Sequence, residues 1–176
     1  MTRRRTSGLI IVVAVVLAAC SPALNWREVR PEGSDAVMMF PCKPQRFARQ
    51  VPLAGGKVEM HLSSCTVEGV TYALSDAGLA SPVDAGPALR ALSASAAANI
   101  GANIPPGGTP LIIPGMTPNE AAQRWTLQGH GVDSKPVHEQ LAVFARGRRV
   151  YQATIVGPSI DAEAAETFFS GIKLLP

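Results

Sequence analysis

The chain has 176 residues, enough for one compact domain with one core. Its formal net charge of +3 reflects 16 Lys and Arg against 13 Asp and Glu. Arg3, Arg4 and Arg5 account for that excess and lie in an N-terminal stretch without acids, so the rest of the chain is balanced. Without a basic stripe, the counterion release that drives nucleic-acid binding has no source, and no nucleic-acid partner is expected.

The three arginines precede an unbroken apolar run, Leu9 to Leu17, which is followed by Ala18, Ala19, Cys20, Ser21 and Pro22. A charged start, a short apolar middle and small residues before a cut are the marks of an export signal. The run falls short of the roughly 20 residues a membrane span needs. Leu17-Ala18-Ala19-Cys20 resembles the lipobox of bacterial lipoproteins. That resemblance implies cleavage after residue 19, diacylglycerol on the Cys20 thiol and acylation of the new amino terminus. Several acyl chains make a durable anchor where one would be marginal. In such lipoproteins Asp after the lipidated Cys favours retention at the inner membrane. Ser21 therefore resembles outer-membrane cargo with its domain facing the periplasm, and the periplasmic face of the inner membrane is the alternative.

With Cys20 lipidated, Cys42 and Cys65 form an even pair in an oxidising compartment, and a disulfide is the expectation. Two buried thiols or a metal pair are the alternatives, but no neighbouring His supplies zinc-ligand spacing.

Residues 20–35 are polar, contain Pro31 and Gly33, and read as a linker; residues 36–176 read as the domain. Trp26 in that linker has two readings, a membrane-interface anchor or a contact with the domain. Ala36 to Phe40 is a short apolar strand stopped by Pro41, and Gln45 to Leu53 a second. After Ala54-Gly55-Gly56, the residues Val58, Met60 and Leu62 alternate with polar ones. After Glu68-Gly69, Val70, Tyr72 and Leu74 do the same. Period two means strand, so these segments predict an antiparallel meander with Cys42 near Cys65.

The period then changes. Between Pro87 and Ile100, the residues Leu89, Leu92, Ala96 and Ile100 recur at spacings of three and four in an Ala-rich stretch, which predicts a helix. Asn103 to Pro118 is a Pro/Gly-rich loop, and the segment from Gly101 to Pro118 is long enough to be a functional surface. Strands follow at Arg124 to Gln128, with Trp125 as core, at Val137 to Ala145 and at Arg149 to Val156, the last two joined through Gly147. Ser159 or Asp161 caps a final helix whose apolar face is Ala165, Phe168, Phe169 and Ile172. Strands, helix, strands, helix is the α+β class: an antiparallel sheet of six to seven strands covered by two helices.

Arg148 to Gly157 with Phe168-Phe169-Ser170 is similar to small lipoproteins of proteobacteria. Phe40-Pro41-Cys42-Lys43-Pro44 before a strand, together with the late Tyr151 strand and the Phe168-Phe169 helix, looks like the PsbP-like α/β/α sandwich. Domains of that kind are mostly binding or assembly modules, so the resemblance implies no catalytic residue.

No motif names a reaction. His61, His130 and His138 lack HxH or HExxH spacing, and His138-Glu139-Gln140 is a zincin-like fragment without its second His. GxSxG is absent, the Gly pairs belong to no phosphate-binding motif, and the carboxylates are scattered. No catalytic residue, metal ligand or cofactor is therefore assigned. The leading expectation is a non-enzymatic envelope module, held by acyl chains on Cys20 and binding an envelope component, with a protein partner among the candidates. One rival is an envelope hydrolase that gathers His61, His138 and Ser159. Another is a carrier of an apolar ligand, with a cavity between helix and sheet.

Overall fold

A computed structural model describes residues 24–176; the leader and Cys20 lie outside the described residues. The centre is a seven-stranded antiparallel sheet. Its first half is the predicted meander, β3 (Gln45–Leu53), β4 (Gly56–Val67) and β5 (Val70–Gly78). Two-residue turns join these strands. Glu68 and Gly69 both take positive φ, 49° and 78°, the backbone that matches the twist of a tight hairpin.

The second half is built from β6 (Thr109–Pro110), β7 (Gln123–His130), β8 (Pro136–Arg146) and β9 (Arg149–Gly157). The order across the sheet is β3-β4-β5-β9-β8-β7-β6. The last hairpin therefore pairs with the meander through β5 and β9, with Tyr72 opposite Ile155 and Asp76 opposite Tyr151. Helices α1 (Ala85–Asn99) and α2 (Ala162–Ser170) complete the α+β fold. Asp161 is the residue that caps α2: the Ala164 N–H donates to its Oδ1 at 2.8 Å, while Ser159 is exposed.

A second, three-stranded ribbon was not expected. β1 (Arg27–Val29) and β10 (Lys173–Leu174) flank β2 (Ala36–Phe40), so β2 belongs to this ribbon and not to the main sheet. β1 also corrects the reading of residues 20–35 as linker throughout, because Arg27 to Val29 pair with Phe40 to Met38. Trp26 turns onto the domain, its ring edge-on to Tyr72 with centroids 6.2 Å apart.

The ribbon and α2 cover one face of the sheet. Side chains at even positions of β5 and odd positions of β9 point there, and Tyr72, Leu74, Tyr151 and Ile155 meet Met38 and Phe40 of β2 and Phe168 of α2. Phe168 sits edge-on to both Phe40 and Tyr72, at 5.7 and 5.4 Å between centroids. The predicted Cys42–Cys65 disulfide is formed, with Cα atoms 5.9 Å apart. It ties the turn after β2 to β4, so it pins the ribbon to the main sheet.

The opposite face belongs to α1. Its Ala88, Leu89, Leu92 and Ala96 are buried, and it packs on β8 and β9. Alanine lets the helix axis come close. At the far end the His130 N–H donates to the Ile100 carbonyl at 2.8 Å, and a Cβ on Gly129 would overlap that same carbonyl oxygen, so only glycine permits the approach.

Candidate functional site

One helix cannot cover a face five strands wide from β3 to β8, and α1 leaves the meander half of that face open. β5 records the difference residue by residue. Tyr72, Leu74 and Asp76, on the ribbon side, are buried, whereas Thr71, Ala73 and Ser75, on the helix side, are only half-buried. The edge of α1 above them carries Ala91, Ser95 and Asn99, which are too short to close the gap. The result is a groove of about 720 Å³ between α1 and the sheet, with Val51, Met60, Leu62 and Val156 on its sheet side. Space of this size, mostly apolar with a few polar groups, is what small-molecule sites require.

Glu139 of β8 lines the inner end of the groove. Leu127 and Val156 stand opposite it on the neighbouring strands, and the residue is only 2% exposed. Among the described residues its Oε2 has no hydrogen-bond partner. Burial, the single cause acting on this carboxyl, pushes its pKa up to about 7. Polar neighbours lie one strand away on the same face: Thr154 and Gln152 of β9, the Gln152 amide donating to the Thr154 hydroxyl at 3.3 Å. Arg49 on β3 is the other ionisable lining residue, exposed at the outer rim. Four inter-strand steps of about 4.8 Å put β3 roughly 19 Å from β8, too far for Arg49 to neutralise the carboxyl.

The groove therefore offers a trough of mixed apolar and polar lining, with an acid at its β8 end whose Oε2 lacks a partner among the described residues. Isolated buried charges and unpaired polar groups are costly, and native structures pair them. A guest with an apolar body and a hydrogen-bond donor at its head would supply the missing partner.

The histidines and serine named from the sequence are not brought together. His61 is on β4 and His138 at the start of β8, with β5 and β9 between them. Following the register from His61 through Asp76 and Tyr151 leads to Phe144, six residues along β8 from His138. His61 instead has local carboxylate neighbours, with Nε2 3.4 Å from Glu59 and Nδ1 3.9 Å from Asp76. Asp76, 2% exposed, is paired with Arg149; burial raises its pKa, and the guanidinium opposes that rise. Among the described residues no three His, Cys, Asp or Glu side chains gather as metal ligands. Cys42 and Cys65 are joined in the disulfide, and Cys20 lies outside the described residues.

The segment from Gly101 to Pro118 contributes β6 and a shallow apolar depression around Leu111, Ile113 and Met116, with Ile112 91% exposed beside it.

Motif spacing does not single out Glu139, which stands in the sequence only within the zincin-like fragment His138-Glu139-Gln140. The signal was in the alternation: Val137, Leu141, Val143 and Ala145 occupy one face of β8, and Glu139 is the lone acid in that apolar row. Comparison with protein-family models, with curated proteins and with solved structures finds no match.

Proposed function

We propose that the protein is a non-enzymatic binding module of the bacterial envelope, held at the outer membrane by acyl chains on Cys20, whose ligand lodges in the groove beneath α1. The observation that carries the reading is the groove itself, about 720 Å³ of space with apolar and polar lining and, at its inner end, the Glu139 carboxyl, whose Oε2 has no partner among the described residues. The resemblance of Leu17-Ala18-Ala19-Cys20 to a lipobox supplies the address. His61, His138 and Ser159 do not converge, so that trio offers no hydrolase site.

The test is recovery of the natural guest. Full-length protein extracted from its own membranes in a mild detergent is analysed by mass spectrometry for the protein's mass and for small molecules that co-purify. The expected result is a chain beginning at acylated Cys20, together with an amphiphilic compound that is lost from the groove-filling variant Ser95→Phe. Identical small-molecule content in wild type and variant would overturn the groove as binding site. A chain that retains the leader with an unmodified Cys20 would overturn the anchor.

A further inference from the structure

Resting on that reading, we infer that the ligand is an alkyl amphiphile with a protonated primary amine as its head, seated on Glu139 with its chain running outward over β9, β5 and β4. The carboxyl is 2% exposed, and of the other lining residues only Arg49, at the opposite rim, bears a charge. No cation on α1 lines the groove, and none on β4, β5, β8 or β9 does so. Among the described residues no cation stands ready to pair with the ionised carboxyl, so a guest that brings one would complete the pair.

Charge complementarity selects among heads. A carboxylate or phosphate at the inner end would face Glu139 as a like charge in a poorly solvated space, which is repulsive. A hydroxyl can donate one hydrogen bond but leaves the carboxylate charge uncompensated. An ammonium has three donors and no acceptor. One can go to Glu139, and Thr154 and Gln152, one strand over on the same face, offer a hydroxyl and an amide oxygen for the others. Charge-assisted bonds of this kind are about twice as strong as neutral ones.

The remaining lining selects the tail. Val156, Ala73, Met60, Leu62 and Val51 place aliphatic side chains on each strand from β9 to β3, with Ala91 on the α1 edge. Apolar surface exceeds polar surface along this lining, although Thr71, Ser75, Ser95 and Asn99 interrupt it. An unbranched alkyl chain, whose burial is worth about 0.8 kcal/mol per CH₂, fits its chemistry.

The test uses the full-length protein in lipid nanodiscs and titration calorimetry with octylamine, octanol and octanoate at pH 7.5, empty nanodiscs being subtracted. The expected order is octylamine at least tenfold tighter than octanol, with octanoate weakest. Glu139→Gln should bring octylamine down to the affinity of octanol while leaving octanol binding within twofold. In wild type the amine preference should shrink on lowering the pH to 5, where Glu139 is protonated and octylamine remains charged. Equal binding of amine and alcohol, preference for octanoate, or an amine preference that survives Glu139→Gln would each overturn the inference and leave the groove reading standing. Failure of all three probes to bind wild type, or binding unaffected by Ser95→Phe, would sink the groove reading and this inference with it.

Discussion

Asp76 and Glu139 are equally hidden, each 2% exposed, on opposite faces of the same sheet, and they are treated in opposite ways. Asp76 faces the ribbon side and is met by Arg149 from the adjacent strand. Glu139 faces α1, and its Oε2 has no hydrogen-bond partner among the described residues. On the ribbon side large aromatics fill the space and the disulfide fixes the covering layer, so an acid there must be balanced within the chain. On the helix side the cover is narrow and small-residued, and an unbalanced acid persists beside open space. The contrast separates the half of the molecule that holds the fold from the half with room for a guest.

The comparison is broken most severely from the ribbon side. Arg149→Leu leaves Asp76 as buried as before but without its cation, and removing one partner of a buried pair costs about 3–5 kcal/mol. Urea unfolding at pH 7 should show that loss. The double variant Asp76→Asn/Arg149→Leu should recover a good part of it, because no unpaired charge then remains. Next in size is the bridge. Cys42 and Cys65 are 23 residues apart, and Cys42→Ser/Cys65→Ser should lower unfolding free energy by about 3 kcal/mol through the freer denatured chain. Thermal melts with and without reductant check this: reductant should lower the wild-type midpoint and leave the variant's unchanged.

The elements carrying a period of their own were legible in the sequence. β4, β5 and β7 alternate, and the Leu89, Leu92, Ala96 and Ile100 spacing of α1 is plain. β1 and β10, three and two residues long, have no room for a period. They exist because β2 offers two free edges, and that depends on residues distant in sequence. The placement of β2 in a separate ribbon has the same origin: its apolar run is equally consistent with a central strand, and only packing against α2 decides. The groove is harder still to read, since it follows from where α1 crosses the sheet, which Gly129 and Ile100 fix between them. Glu139 was the legible part, a single acid in an apolar row.

The mildest change sharpens the comparison, because it acts on the unbalanced acid alone. The Glu139 pKa rises from an ordinary 4.5 in the unfolded chain to about 7 in the folded one. Between those values the folded state keeps a proton that the unfolded state has released, so stability falls as pH rises through that window and is fully reduced above it. The shift corresponds to roughly 3 kcal/mol. Glu139→Gln removes the titrating group without changing its shape. It should therefore match wild type near pH 4, and exceed it by roughly that amount at pH 8 in urea unfolding, with the slope between pH 5 and 7 largely abolished. An equal loss at both pH values would mean that Glu139 makes bonds inside the folded chain. A gain confined to high pH, in a variant that no longer prefers amines, identifies the carboxyl as a group whose cost to the fold is offset only by a guest.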